Sequence, residues 1–323
     1  MALNINKIEV PTPYRSGPAN AYLIKNSPLT LIDPGPETVE ALNSLKEGLL
    51  SLDVAVKDIE RVVVTHYHSD HSGLAAWLMK EAQARVVIHK LEIRKLTPAY
   101  SYYQERLPFL IESGLPAGEL NEILQDRDPV VKPVLPPSFI DAVVGGEVLH
   151  FADGGSLRVL HMPGHTSGHI CLYNPVGREL FAGDFLLKHI TPNPVMEADY
   201  PDFSRRNPAL KQYLAGLKRI ANMDVRICLP GHGENIDDCR SLVERYLEHH
   251  RQRLEVLQNI LVRKKMNAYQ LMRQLYPKIK GFQAFLGISE VFAHLDYLQE
   301  TGRITRERRK GIAIYYRNVQ ESK

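Results

Sequence analysis

The chain has 323 residues, 44% of them hydrophobic and 24% charged, with a formal net charge of +3 at pH 7. That length suits one large domain with a smaller appendage, and the proportions are those of a soluble globular protein. The charge is too small to imply a polyanion partner for the whole molecule, and no segment is apolar over the length a bilayer crossing needs.

The N-terminal run alternates polar and apolar residues like a first strand and lacks the apolar core of a secretory signal, so a cytoplasmic protein without membrane association is expected. Short β-rich runs at 21–24, 29–32, 62–65 and 86–89 alternate with helical patterns. One of these, at 37–49, places Val39, Leu42, Leu45 and Leu49 at helical intervals, and another covers 72–84. Strands feeding helices in this way predict layers. Residues 93–140 are looser and rich in proline and tyrosine, and they read as an insertion. Tyr102 and Tyr103 within it are candidates either for capping a substrate or for packing the insertion itself.

Strand character resumes at 147–151, 157–161, 170–173 and 179–182, with glycine-rich turns between. Asn207 and Pro208 open a helix running to about residue 222, with Asn as N-cap and Pro at the first helical position, and 225–229 is another strand. From about residue 237 the pattern turns helical, with Leu242, Tyr246, Leu254, Leu257 and Leu261 along one face. Further helices are expected at 268–276 and 283–300, the second ended by Gly302. Strands at 303–306 and 312–317 follow, joined by the basic loop Glu307-Arg308-Arg309-Lys310-Gly311. These shifts divide the chain into a catalytic domain, 1–245, and a C-terminal domain, 246–323. Cys171, Cys228 and Cys239 show no paired spacing, which argues against a disulfide framework or a Cys-rich zinc module.

The chemistry concentrates after the buried-strand run Val62-Val63-Val64-Thr65, in His66-Tyr67-His68-Ser69-Asp70-His71. In an extended segment positions 66 and 68 point to the same side, so both imidazoles can reach one ion. The turn into the following helix redirects Asp70 and His71 toward a neighbouring point, and two adjacent metal positions are implied. Imidazole and carboxylate without thiolate suit zinc and equally iron or manganese. A lone histidine is usually solvated or hydrogen-bonded, but so many ligand types crowded at a strand end argue for a site.

These residues resemble the signature of the metallo-β-lactamase superfamily, His-x-His-x-Asp-His after a strand, followed by separate downstream His, Asp and His ligands. His165 in Pro163-Gly164-His165, Asp184 in Ala182-Gly183-Asp184 and His232 in Pro230-Gly231-His232 fill the remaining positions. Asp33 in Leu31-Ile32-Asp33-Pro34-Gly35 matches an Asp that supports the metal loop in that family. The resemblance spans most of residues 8–236 and implies an α/β, four-layer αββα fold. It further implies that His66, His68 and His165 hold one divalent ion, that Asp70, His71 and His232 hold the other, and that Asp184 bridges. Hydrolysis by a hydroxide shared between two ions follows from that arrangement, with Asp70 as the candidate to orient it or handle its proton. His169 and His189 are further candidates for lining or supporting the pocket.

The superfamily hosts many chemistries, so fold alone does not choose a substrate. Flavodiiron members carry Glu where this chain has His68. The nucleases with a large cassette between the last two ligands need more chain than separates Asp184 from His232. The Thr-His-x-His-x-Asp-His form resembles glyoxalase II-type thioester hydrolases, whereas the C-terminal helices and basic hairpin resemble a winged-helix domain found in a branch that includes an endoribonuclease. The expected function is hydrolysis of a small ester, thioester or lactone-like substrate. RNA or phosphodiester cleavage is the enzymatic alternative, with RNA reached through Arg303, Arg306, Arg308, Arg309, Lys310 and Arg317. A non-catalytic nucleic-acid-binding regulator is the contrasting class, and a winged-helix unit can also serve as a packing or homodimer module.

Overall fold

The computed structural model describes residues 2–125, 130 and 133–317. Two sheets face one another. The first runs in the order β1 (Ile5–Val10), β2 (Ala19–Ile24), β3 (Thr30–Ile32), β4 (Arg61–Val63), β5 (Arg85–His89) and β6 (Ile140–Val143). Its first three strands form an antiparallel meander, and β3 through β6 are parallel. The second sheet is built from β7 (Val148–His150), β8 (Ser156–His161), β9 (Ile170–Asn174), β10 (Glu179–Gly183) and β13 (Ile227–Pro230), antiparallel except for the β10–β13 pair. A small hairpin, β11 (Ala198–Asp199) with β12 (Asp202–Arg206), stands apart.

The inner faces meet in one apolar layer that includes Tyr22, Ile32, Val63 and Val87 from the first sheet and Leu157, Ile170, Leu172 and Phe181 from the second. Because strands covered on both faces have no solvent side, β2 is buried at every position and the central parallel strands are valine-rich rather than alternating. The outer face of the first sheet is covered by α1 (Val39–Ser51) and α3 (Ala75–Ala82), through Leu45, Leu49 and Leu78. The outer face of the second is covered by α7 (Ala209–Ala221) and the start of α8 (Cys239–Arg263), through Leu217, Ile220, Leu242 and Val243. Helix, sheet, sheet, helix is the order of layers.

Local sequence explains where these elements start and stop. Thr38 caps α1 by accepting from the Ala41 N–H at 3.1 Å. The helix expected at 72–84 is instead two pieces, α2 (Ser69–Ser72) and α3, because the chain bends at Gly73 to lie against the loop at Pro36 and Glu37. A Cβ at Gly73 would sit 2.4 Å from the Glu37 nitrogen. Asn207 stands one residue outside α7 and does not cap it. Its N–H is taken by the Glu197 carbonyl at 2.8 Å and its side chain donates to Gln212 at 3.0 Å, leaving Pro208 in the cap position.

The insertion between β5 and β6 contributes α4 (Lys90–Ile93), α5 (Tyr102–Glu112) and α6 (Ala117–Gln125); residues 126–129, 131 and 132 of it lie outside the described part. It shares a core with the C-terminal helices. Phe109, Leu110 and Ile123 pack in one cluster with Leu254, Leu257 and Leu261 of α8, with α9 (Ala268–Leu275) and with α10 (Gly281–Glu300). Phe285, Ile288, Val291 and Phe292 of α10 are buried there, and each such side chain contributes about 1.5–3 kcal/mol. Helix α8 runs unbroken from the sheet-covering layer into this core, so the division expected between residues 245 and 246 falls within it.

The described residues close with the hairpin β14 (Thr305–Arg309) and β15 (Ile312–Tyr316). The turn is shorter than the five-residue loop expected from the sequence. Lys310 and Gly311 both adopt positive φ, 49° and 86°, as a two-residue hairpin turn requires, so Glu307, Arg308 and Arg309 become strand. A bridge between Met266 and Tyr315 ties the hairpin to the link between α8 and α9. No helix among the described residues is long and apolar enough to cross a membrane.

Candidate metal centre

The loops at one end of the paired sheets carry the cluster. His66 and His68 follow β4, Asp70 and His71 lie on α2, His165 sits between β8 and β9, Asp184 follows β10, and His232 follows β13. The two sheets are stitched there. The Asn20 N–H donates to the Gly231 carbonyl at 2.7 Å, and the Gly231 N–H donates to the Gly183 carbonyl at 2.7 Å. Gly231 is required by the close approach, since a Cβ would stand 2.5 Å from Asp184 Oδ1 and 2.7 Å from the His71 ring.

Among the described residues, three overlapping groups bring ligand-type atoms within 4.8 Å of one another: His66, His68 and His165; His66, His71 and Asp184; and Asp70, His71 and His232. Each imidazole but one is tethered through Nδ1, which leaves Nε2 facing inward and, in the neutral ring, able to offer a lone pair. His66 Nδ1 meets Thr65 Oγ1 at 3.0 Å, and Thr65 in turn donates to Asp33 Oδ2 at 2.7 Å. His71 Nδ1 is held by Asp33 Oδ2 at 3.0 Å, His165 Nδ1 by the Asn193 carbonyl at 2.9 Å, and His232 Nδ1 by the Pro18 carbonyl at 2.8 Å. His68 is the exception and turns Nδ1 inward, 3.0 Å from His66 Nε2 and 3.1 Å from His165 Nε2.

The electrostatics match a cation site. Burial, reinforced by His71, His68 and His165, pushes His66 well below the usual imidazole range, and burial with His165 does the same to His68. Both are held in the neutral form that can ligate. For His71 burial opposes the charge, but Asp184, Asp70 and Asp33 together hold it well above its ordinary value. Burial would raise Asp184, yet His71 and His232 keep it well below the carboxylate range. His71 Nε2, Asp184 Oδ1 and His232 Nε2 are buried without a hydrogen-bond partner. Such orphans are costly unless something completes them, and a metal ion fits the donor set.

Asp33 joins the cluster from behind, accepting also from the Thr65 N–H at 2.8 Å. His169 is fully buried, stacks on His66 at 5.0 Å and accepts from the Asp184 N–H at 3.2 Å, so it backs the site rather than lining a cleft. His189 is exposed, near Glu234. Tyr102 and Tyr103 pack in the core shared by the insertion and α10, Tyr102 with its ring 5.5 Å from Phe285. Sequence reasoning missed a second layer. Glu92, Lys95, Arg106 and Glu197 are fully buried charges directly behind the ligand loops. Burial would raise Glu197, but Lys95 and Arg106 hold it down to about 2. In sequence they resemble the exposed charges of any helix or loop, and no local signal sets them apart.

Residues 14–232 match the family model described as the metallo-beta-lactamase superfamily. The chain belongs to that superfamily. It is 33% identical to the probable metallo-hydrolase YqjP of Bacillus subtilis (strain 168), over 97% of both chains. Among solved structures it is similar to a metallo-beta-lactamase family protein from Thermus thermophilus, with a TM-score of 0.81 and 29% identity over 97% of this chain and 98% of the other. It is also 24% identical to the atrochrysone carboxyl ACP thioesterase of Aspergillus fumigatus, over 62% of this chain and 48% of that protein. The protein is a metal-dependent hydrolase of the metallo-beta-lactamase superfamily.

Proposed function

We propose that the protein is a dinuclear hydrolase of a small ester, thioester or lactone-like substrate. His66, His68 and His165 hold one divalent ion, Asp70, His71 and His232 the other, and Asp184 reaches both. The observation that carries the reading is that His71 Nε2, Asp184 Oδ1 and His232 Nε2, buried and without a hydrogen-bond partner, lie together, Oδ1 3.3 Å from His71 Nε2 and 3.7 Å from His232 Nε2, with Asp70 3.3 Å from His232 Nε2. Asp184 faces both groups, with Oδ1 3.3 Å from His71 Nε2 and Oδ2 3.8 Å from His165 Nε2. Two such ions, zinc on this donor set with iron or manganese equally compatible, supply Lewis acidity and lower the pKa of a water molecule. Asp70 has one carboxylate oxygen 3.3 Å from His232 Nε2 and a side chain 13% exposed. This contact supports a role for Asp70 in orienting the attacking water and taking its proton.

A thioester or related acyl substrate is favoured by the glyoxalase II-like form of the motif and by the thioesterase among the relatives. We read the end of α8, the Met266 bridge, α9, α10 and the hairpin as a winged-helix unit that packs rather than reads nucleic acid. The support is the burial of α10, the helix that would have to enter a groove, against α6, α7, α8 and α9. Arg306 is likewise engaged within the chain, 2.8 Å from Glu112 of the insertion. A screen of metal-reconstituted protein against acyl-thioesters, lactones, phosphodiesters and short RNA tests the proposal. Turnover of an acyl substrate, lost in Asp70→Asn, is expected. Cleavage confined to RNA or phosphodiesters would contradict it.

A further inference from the structure

Glu92, Lys95, Arg106 and Glu197 form a buried ionic cluster, with 0% exposure at each of the four. Taking four charges out of water is expensive, and well-packed apolar residues often stabilise a fold as well or better. The cluster is therefore best understood from what it grips. Glu92 Oε2 accepts from the Tyr67 N–H at 3.1 Å, between His66 and His68. Its Oε1 accepts from the Gly168 N–H at 2.6 Å and from Thr166 Oγ1 at 3.2 Å, immediately beyond His165. One carboxylate thus spans two ligand loops that come from different sheets.

We propose that Glu92 is a positioning residue that sets the separation of the His66–His68 loop from the His165 loop, and so shapes the first ion position but not the second. Lys95 holds that carboxylate in place at 3.1 Å and is itself held by both oxygens of Glu197, at 2.8 and 2.7 Å. Glu197 adds a second grip on the His165 loop by accepting from the Ser167 N–H at 2.9 Å. The fit is close, since a Cβ at Gly168 would stand 2.5 Å from Glu92 Oε1. The supports of the second position are separate. His71 leans on Asp33 and His232 on the Pro18 carbonyl, and none of the hydrogen bonds described for Glu92 reaches either.

The proposal rests on the two-position reading, and the experiment separates the two. Wild-type protein, Glu92→Gln and Gly168→Ala are stripped of metal and titrated with zinc against a chromophoric chelator, with stoichiometry read by native mass spectrometry. The expected result is two ions in the wild type and, in each variant, one ion bound about 10–100-fold more weakly while the other is unchanged. Gly168→Ala leaves every charge in place and carries the test should Glu92→Gln not fold. Variants that bind both ions as the wild type does, or that weaken both equally as a general loss of structure would, overturn the role of Glu92 alone. A wild type that takes up fewer than two ions overturns the two-position reading itself, and the proposal with it.

Discussion

Replacing Asp33 with Asn changes one buried oxygen to an NH2 group and little else. Asp33 has φ 49°, a left-handed conformation that Asn tolerates as well as Asp, so the backbone is not strained by the change. The carboxylate accepts from the Thr65 N–H, from Thr65 Oγ1 and from His71 Nδ1, and Oδ2 serves the last two. An amide that keeps its carbonyl toward the Thr65 N–H must turn its NH2 toward His71 Nδ1. Two donors then face each other, and His71 relieves the conflict by moving its proton to Nε2, the atom that otherwise points inward as a lone pair. Loss of a hydrogen bond to a charged acceptor costs about 1.5–3 kcal/mol. At 1.4 kcal/mol per tenfold, affinity at the position built on His71 should fall about 10–100-fold. Chelator competition on the reconstituted protein measures this. Both affinities staying within about threefold of wild type, judged against that 10–100-fold range, would refute the assignment of His71's tether and tautomer.

Arg206→Met removes a buried guanidinium whose Nε and Nη2 grip Asp296 at 2.8 and 2.6 Å and whose Nη1 holds Glu112 at 3.0 Å. Thermal and denaturant unfolding should show a loss of about 1.5–3 kcal/mol, because Asp296, its side chain 25% exposed, loses two hydrogen bonds from the guanidinium while Glu112 keeps Arg306. Glu197 titrates lower folded than unfolded, about 2 against 4.5, so its contribution to stability is complete above pH 4.5 and is lost as the pH falls toward 2. In metal-free protein, Glu197→Gln should therefore lose less stability than wild type between pH 5 and pH 3, read by urea unfolding at each pH. The variant Arg308→Ala, Arg309→Ala, Lys310→Ala, which spares the Arg306–Glu112 pair, should keep small-substrate turnover within about twofold, since surface changes away from buried features rarely cost more than 0.5 kcal/mol. Tight, salt-sensitive RNA binding that collapses in that variant, with cleavage lost alongside it, would favour the nuclease reading.

What could be read in the sequence was what is local in the chain. His66, His68, Asp70 and His71 sit within one short stretch of chain, and strand and helix periodicity around them indicates which side chains share a side. The start of α9 at Ala268 was readable from helical periodicity, while the reciprocal cap of Asn267 and Gln270 that opens it was not singled out. Relations across the chain were not. His232 Nδ1 finds its partner in the Pro18 carbonyl, and Glu92 binds Gly168, with nothing in the intervening residues to announce either. Arg94 and Lys95 are adjacent basic residues in a helical stretch, yet the side chain of the first is 22% exposed and that of the second 0%. Only the packing of the insertion against the ligand loops distinguishes them. Tyr102 looked equally suited to a pocket or a core, and its neighbour Phe285 lies far along the chain in a helix whose docking the sequence did not foretell.

The most direct test of the central claim is the metal content of the purified and reconstituted protein, by elemental analysis, for wild type and Asp184→Ala side by side. Among the described residues, Asp184 is the one carboxylate that approaches His71, His165 and His232 together. Wild type should carry close to two transition-metal ions per chain by this reasoning, and Asp184→Ala should lose metal and hydrolytic activity together. Wild-type protein that binds no metal even after reconstitution, or Asp184→Ala that keeps a full complement and full activity, would contradict the account.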